Sequence, residues 1–198
     1  MYEKDDNFYC YPETQILKNK LNIKDKKTLE AAERDLTVLR LAALKINPLN
    51  NTFDLKHLKN IHKYIFQDVY TWAGELRKIE ISKGEIMFAK SNYIFSQGNK
   101  LFEELKNENY LSGLYFNKFT ERLAYYKAEI NILHPFREGN GRVIREFIRC
   151  LAEYNGYDLD FSLIDKEKYM EAMIQSPYTI GLLKELFKKT IKPMEKEK

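Results

Sequence analysis

One run of twelve residues gathers most of what could do chemistry in this chain: His134-Pro-Phe-Arg-Glu-Gly-Asn-Gly-Arg142-Val-Ile-Arg145. The His134 imidazole is a group that can take a proton from an incoming hydroxyl. The Glu138 carboxylate can hold Mg²⁺ bridging phosphates. Gly139, Asn140 and Gly141 permit backbone conformations that aim successive N–H groups at one point. A helix starting there adds its own unpaired N–H groups and the positive end of its dipole, a ready site for phosphate. Arg142 and Arg145 are spaced i, i+3 and project from one helical face. Two cations at a helix N-terminus oppose the macrodipole, and a bound polyphosphate offsets that conflict. Taken singly, each residue has an ordinary use: a loop histidine, a turn, a solvated arginine pair. Their ordered conjunction points to chemistry on a nucleoside triphosphate.

The elements that must carry this run can be read from apolar spacing. Leu29, Ala32, Leu36, Leu39 and Ala43 mark a helix over 26–45, ended by Asn47-Pro48. Asp54 can cap a second helix over 55–69, with Leu55, Leu58, Ile61, Ile65 and Phe66 as its apolar set. Further helices are expected at 91–107 and 116–131. Pro135 then stops the chain's helical course and fixes a sharp entry to the motif, and Phe136 reads as a core plug. A helix over 140–155 ends at Asn155-Gly156. Asp165 can cap another over 166–175, Pro177 breaks the pattern, and a last helix runs to about 190. Residues 8–23 read as irregular, with a turn at Tyr11-Pro12.

Residues 76–89 are different. Ile79 and Ile81 alternate with Lys78, Glu80 and Ser82, Lys83-Gly84 supplies a turn, and Ile86 and Phe88 flank Met87. This is a hairpin pattern. A lone hairpin is not stable without packing, so it is expected as a flap on a helical body.

Composition agrees. With 198 residues, 44% hydrophobic, the chain fits one domain with a sizeable aromatic core built from its 14 Tyr and 12 Phe. Only 8 Gly and 5 Pro argue for long helices rather than a many-turned β protein. The net charge of +4 is mild and concentrated in the tail Lys184–Lys198, which reads as solvated. Elsewhere the signs mix evenly, which disfavours direct nucleic-acid binding. Cys10 and Cys150 form no CxxC pattern and read as reduced thiols of a cytosolic protein. The opening Met-Tyr-Glu-Lys-Asp-Asp lacks the apolar run of a signal peptide, and no stretch approaches a membrane span. His57 and His62, at i and i+5, do not share a helical face, so structural roles are expected rather than metal binding.

The motif resembles the signature of the Fic (Fido-fold) family, HPFx(D/E)GNGRxxR, at every fixed position. The resemblance extends to Tyr11-Pro-Glu-Thr, Leu17-Lys-Asn-Lys, Phe53-Asp-Leu, Asp68-Val-Tyr-Thr-Trp72-Ala-Gly-Glu75 and Ala128-Glu-Ile-Asn131, which are similar to stand-alone bacterial Fic proteins of the cell-filamentation type. It implies a mainly α fold, a Fic-type helical bundle with one small β-hairpin flap, spanning 1–198 as a single domain. It implies AMP transfer from ATP to a hydroxyl side chain of a target protein. His134 would be the base, and Glu138 would hold Mg²⁺. Gly139, Asn140 and Gly141 would stabilise charge on the α-phosphate. Arg142 would contact the β-phosphate and Arg145 the γ-phosphate. The flap would align the target by main-chain pairing. Asn131 is a candidate for the nucleotide wall and Lys83, at the hairpin tip, for a contact to nucleotide or target. Tyr169 and Met173 are candidates for the adenine side, although such positions are more often core.

Many members of the family carry an inhibitory helix with the pattern (S/T)xxxE(G/N), whose glutamate pairs with the second motif arginine. Here only Thr71 and Glu75 have the spacing, and Leu76 follows. The chain is therefore expected to lack its own brake. A small antitoxin supplying a glutamate against Arg145 is the expected partner, in a bacterial cytoplasm, with type II topoisomerase subunits as candidate targets. Competing readings are phosphate or phosphocholine transfer on the same scaffold and a non-catalytic binding module. Retention of His134 argues against the second.

Overall fold

Asp25 starts the first helix by accepting a hydrogen bond from the Thr28 N–H, one of the groups that the helix itself leaves unpaired. That helix, α1, runs Lys26–Ile46. Asp54 caps α2 (Leu55–Phe66) in the same way through the His57 N–H at 2.6 Å. After α2 the chain passes through the hairpin strands β1 (Ser82–Lys83) and β2 (Ile86–Met87), then α3 (Ile94–Asn107) and α4 (Phe116–Leu133). Helix α5 (Asn140–Tyr154) follows the motif loop. The chain continues through β3 (Tyr157–Asp158), α6 (Lys166–Gln175), α7 (Gly181–Thr190) and β4 (Lys192–Pro193). This computed structural model describes residues 8–84 and 86–194. Residues 1–7, Glu85 and residues 195–198 lie outside the described residues.

The helical bundle is the expected one. Helices α4 and α5 pack on each other, α2 lies against α5 and α1, and α7 covers α4. Phe66, Phe119, Phe136, Phe147 and Phe187 are fully buried at the centre, each with 0% exposure. Fully burying one such side chain contributes roughly 1.5–3 kcal/mol. The motif is therefore anchored at both ends, through Phe136 within it and Phe147 just beyond it.

Three details differ from the sequence-based expectation. Helix α2 stops at Phe66 rather than 69, because the Phe66 carbonyl accepts from both Val69 and Tyr70 at 3.0 Å and closes a turn there. The hairpin ladder is only two residues per strand, with Ser82 opposite Met87 and Lys83 opposite Ile86. The rest of 76–89 is instead held by the helical body. A second short ladder, unforeseen, pairs β3 with β4. It fastens part of the basic tail to the end of α5, where the Met194 N–H also donates to the Gly156 carbonyl.

Candidate active site

The last turn of α4 presents the base. His134 caps the helix in the left-handed conformation, φ 44°, an uncommon setting for a residue other than glycine. Its N–H still donates to the Ile130 carbonyl. Nδ1 lies 3.1 Å from the Asn131 carbonyl oxygen. A carbonyl only accepts, so Nδ1 carries the hydrogen and Nε2 keeps its lone pair. Burial, with Arg77, Lys83 and Lys127 as neighbouring cations, brings the imidazole down to about 4. It is therefore neutral at physiological pH, in the form a base requires. The ring of Phe88, from the flap, stacks on it with centroids 3.7 Å apart and planes 16° from parallel.

Beyond His134 the loop is closed by its own side chains. Asn140 is buried, and its Oδ1 accepts from the Phe136 N–H at 2.9 Å while its Nδ2 donates to the Phe136 carbonyl at 2.7 Å. The Asn140 amide thus buckles the loop with Oδ1 and one Nδ2 hydrogen. His62 braces the loop from α2. Its Nδ1 accepts from the Gly74 N–H at 2.7 Å, so Nε2 is the donor that reaches the Glu138 carbonyl at 3.1 Å. Its ring is stacked between Phe66 and Phe136. Burial brings it down to about 3.

Of the two motif glycines, only Gly139 needs its backbone freedom. Its φ is 79°, and a Cβ there would come within 2.1 Å of the Phe66 ring. Gly141 is an ordinary helical residue whose missing side chain leaves room beside the Arg145 guanidinium. Among the described residues, the backbone N–H groups of Asn140 and Gly141 have no protein partner. The Gly139 N–H is met by Glu138 Oε1 at 2.8 Å. The start of α5 therefore offers an anion hole with a carboxylate at its edge. Glu138 is a single half-exposed side-chain carboxylate. No group of three or more metal-ligating side chains occurs among the described residues. One carboxylate beside a phosphate site suits Mg²⁺, which keeps several waters and shares its coordination with phosphate oxygens.

The two arginines differ. Arg142 is engaged: Nη2 donates to Glu33 of α1 at 2.5 Å, Nη1 donates to Thr37 Oγ1 at 3.0 Å, and the guanidinium lies 4.7 Å from the Phe66 ring centroid. Glu138 Oε1 is 3.7 Å from the same Nη2. Arg145, half-buried, has no hydrogen bond or ion pair among the described residues. Neither Glu146 nor Glu129 pairs with it: Glu146 is committed to Arg149 at 2.8 Å. Thr71 and Glu75 lie in the turn after α2, not on a helix, and Glu75 is exposed.

Asn131 contributes its carbonyl to His134, and Lys83 is exposed on the hairpin, near enough to His134 to act on its charge. Three residues of the site carry no motif signal. Arg77 is buried at the flap root and donates to the carbonyls of His134 (2.8 Å), Ile79 (2.7 Å) and Ala89. Glu33 and Phe88 are the others. Tyr169 and Met173 pack around Lys127, a fully buried lysine on the His134 side of α4.

A neutral base on a helix end, next to an N–H nest flanked by an arginine without a partner among the described residues, defines a helical-bundle protein suited to holding a phosphate group beside a base. A family model described as the Fic/DOC family matches residues 52–152. The probable protein adenylyltransferase Fic of Escherichia coli K12 is 43% identical over 164 residues, covering 83% of this chain and 81% of that protein. The protein adenylyltransferase VbhT of Bartonella schoenbuchensis is 41% identical over 177 residues, 89% of this chain but 37% of that protein. In structure, the BepC effector of Bartonella tribocorum with bound AMPPNP superposes with a TM-score of 0.87 at 29% identity, covering 96% of this chain and 98% of that one. The chain belongs to the Fic/DOC family.

Proposed function

We propose that this protein transfers AMP from ATP to a hydroxyl side chain of a target protein. The observation that carries the reading is the pairing of a neutral His134, its Nε2 unblocked by the Nδ1 hydrogen bond, with the unpartnered N–H groups at the start of α5. The names of the relatives support it. Nε2 takes the proton of the target hydroxyl as its oxygen attacks the α-phosphorus. The bond from that phosphorus to the bridging oxygen of the β-phosphate breaks, and pyrophosphate leaves. The N–H groups of Asn140 and Gly141 receive the charge that builds on the α-phosphate. Arg142 and Arg145 grip the β- and γ-phosphates, and Glu138 would hold Mg²⁺, which neutralises phosphate charge when bound. The triphosphate also places negative charge beside His134 and favours the imidazolium that proton uptake forms.

The flap is read as the target-aligning edge, with Lys83 at the nucleotide or target side. Arg145, lacking a partner within the described chain, suits a glutamate delivered by a separate small antitoxin, which would exclude the γ-phosphate by a charge-assisted pair. A toxin of this kind would act in the bacterial cytoplasm, and type II topoisomerase subunits are the proposed targets. No described helix is long and apolar enough to cross a membrane.

The test is incubation with ATP labelled on the α-phosphate and a bacterial lysate, followed by mass spectrometry of the labelled band. An AMP increment on a hydroxyl residue is expected, and a phosphate or phosphocholine increment would sink the reading. His134→Ala should lower labelling by roughly 10²–10⁴-fold while ATP still binds.

A further inference from the structure

Arg142 is the third residue of α5, where a cation meets the positive end of the helix dipole. It is nonetheless three-quarters buried, its side chain only 23% exposed. Two residues one turn apart on α1 account for this. Glu33 and Thr37 each take one guanidinium nitrogen, at 2.5 Å and 3.0 Å. The fork on α1 thus matches the fork of the guanidinium. The Phe66 ring lies 4.7 Å from the guanidinium carbon. The other oxygen of Glu33 accepts from the Tyr70 hydroxyl, which comes from the chain between α2 and the flap. The carboxylate is therefore fixed from two directions.

We infer that Glu33 is a positioning residue: with Thr37, and anchored by Tyr70, it sets the angle at which Arg142 meets the phosphates. The inference rests on the AMP-transfer reading and deepens it. A carboxylate on an active-site arginine could instead be a brake that phosphate displaces. The burial of Glu33 decides between them. A brake must be able to leave. Glu33 sits within a 21-residue helix, is 9% exposed, and faces away from solvent. Phosphate entry that broke its pair with Arg142 would strand a buried charge, a strongly unfavourable state. The pair must therefore persist with nucleotide bound, leaving the remaining guanidinium N–H groups to the ligand. A side chain more than 100 residues away in sequence then governs the motif's first arginine.

The test is a double-mutant cycle on the full chain, with AMP transfer at saturating ATP and calorimetric affinity for AMPPNP as separate readouts. Glu33→Ala should lower kcat roughly ten- to a hundredfold, the scale expected when a contact is misplaced by about 1 Å. Glu33→Gln should retain most activity, because its carbonyl can accept from Arg142 while its amide faces the Tyr70 hydroxyl. In an Arg142→Ala background, Glu33→Ala should change neither kcat nor AMPPNP affinity further. Thr37→Val, which leaves Glu33 in place, should give a smaller loss that also vanishes in that background. A Glu33→Gln variant more active than wild type would show a brake and overturn the inference. So would losses that stay additive with Arg142→Ala, which would assign Glu33 to folding alone. A wild-type chain that binds AMPPNP but never transfers AMP would overturn the functional reading instead, and the affinity cycle would still decide the role of Glu33. A wild-type chain that binds no AMPPNP would sink both.

Discussion

The motif loop and the flap lie against the same histidine and are built in opposite ways. In the loop, side chains are tied inward. Asn140 closes on Phe136 at both amide atoms, His62 grips the Glu138 carbonyl, Gly139 presses on Phe66, and Arg142 is seated on α1. The flap is fastened to the body near its roots, where Phe88 also stacks on His134. Arg77 donates its backbone N–H to Pro135 and its guanidinium to three carbonyls, and the Ala89 N–H donates to Ile132 at 3.0 Å. Between those points the ladder is two residues long, and Met87 is 76% exposed. Phosphate chemistry depends on donors already in place, so rigidity helps it. Pairing with another protein's backbone needs an open edge.

The hardest blow to the rigid side is expected from Gly139→Ala. A left-handed backbone costs alanine roughly 1–2 kcal/mol, and forcing a methyl onto Phe66 typically costs about 1–3 kcal/mol more. Denaturant unfolding should register the loss of stability, and AMPPNP binding should fall below detection. A variant of normal stability and affinity would mean that the loop is far less rigid than its contacts suggest.

The joint between the two regions is Arg77. Arg77→Met removes the guanidinium that ties the flap to the His134 carbonyl while keeping a comparable apolar stem. Target labelling should fall roughly tenfold or more with AMPPNP affinity nearly unchanged. Equal loss of both would erase the division of labour proposed for loop and flap.

Acid should act on the rigid side. All three histidines are shifted down by burial, His57 and His134 to about 4 and His62 to about 3. Unfolded, each takes its proton near 6.5. Between those values the unfolded chain binds more protons than the folded one, so stability is full above about pH 6.5 and is lost as pH falls toward 4. The slope is at most about 1.4 kcal/mol per pH unit for each histidine. Melting temperatures from pH 7.5 down to 4.5 should drop steadily. His57→Leu should flatten the slope by about one third, since both ring nitrogens of His57 are buried without partners. An unchanged slope would remove His57 from the account.

The smallest effect is expected at the flap tip. Lys83 is exposed and its influence on His134 is screened by salt, so Lys83→Ala should change labelling by less than about threefold at physiological ionic strength. A large loss, strongest at low salt, would promote Lys83 to a nucleotide or target contact.

What the sequence made legible was what is local. The caps Asp54 and Asp165 sit where their spacing put them, the helices fall close to their apolar periods, and His134 to Arg145 form one site because they are consecutive. What it concealed depends on distance along the chain. Glu33 and Thr37 meet Arg142 across separations of 109 and 105 residues, and on α1 they look like one more charged and one more β-branched helix position. Arg77 fell within the hairpin span 76–89 without any signal of its own, yet it is buried, and three carbonyls converge on it. The β3–β4 ladder had no alternation to announce it, being two residues per strand.

His62 shows how narrow the choice of side chain can be at a position that touches no substrate. One ring must accept from Gly74 on one edge, donate to Glu138 on another, and lie flat between two phenylalanines. Phenylalanine and leucine could fill the volume but answer neither hydrogen bond. Asparagine and glutamine could answer both but offer no ring to the stack. Among the genetically encoded side chains, histidine alone combines an acceptor, a donor and a thin aromatic plane of that size. A library randomised at this codon should therefore return histidine almost exclusively under selection for activity, while the neighbouring exposed Lys63 accepts most replacements.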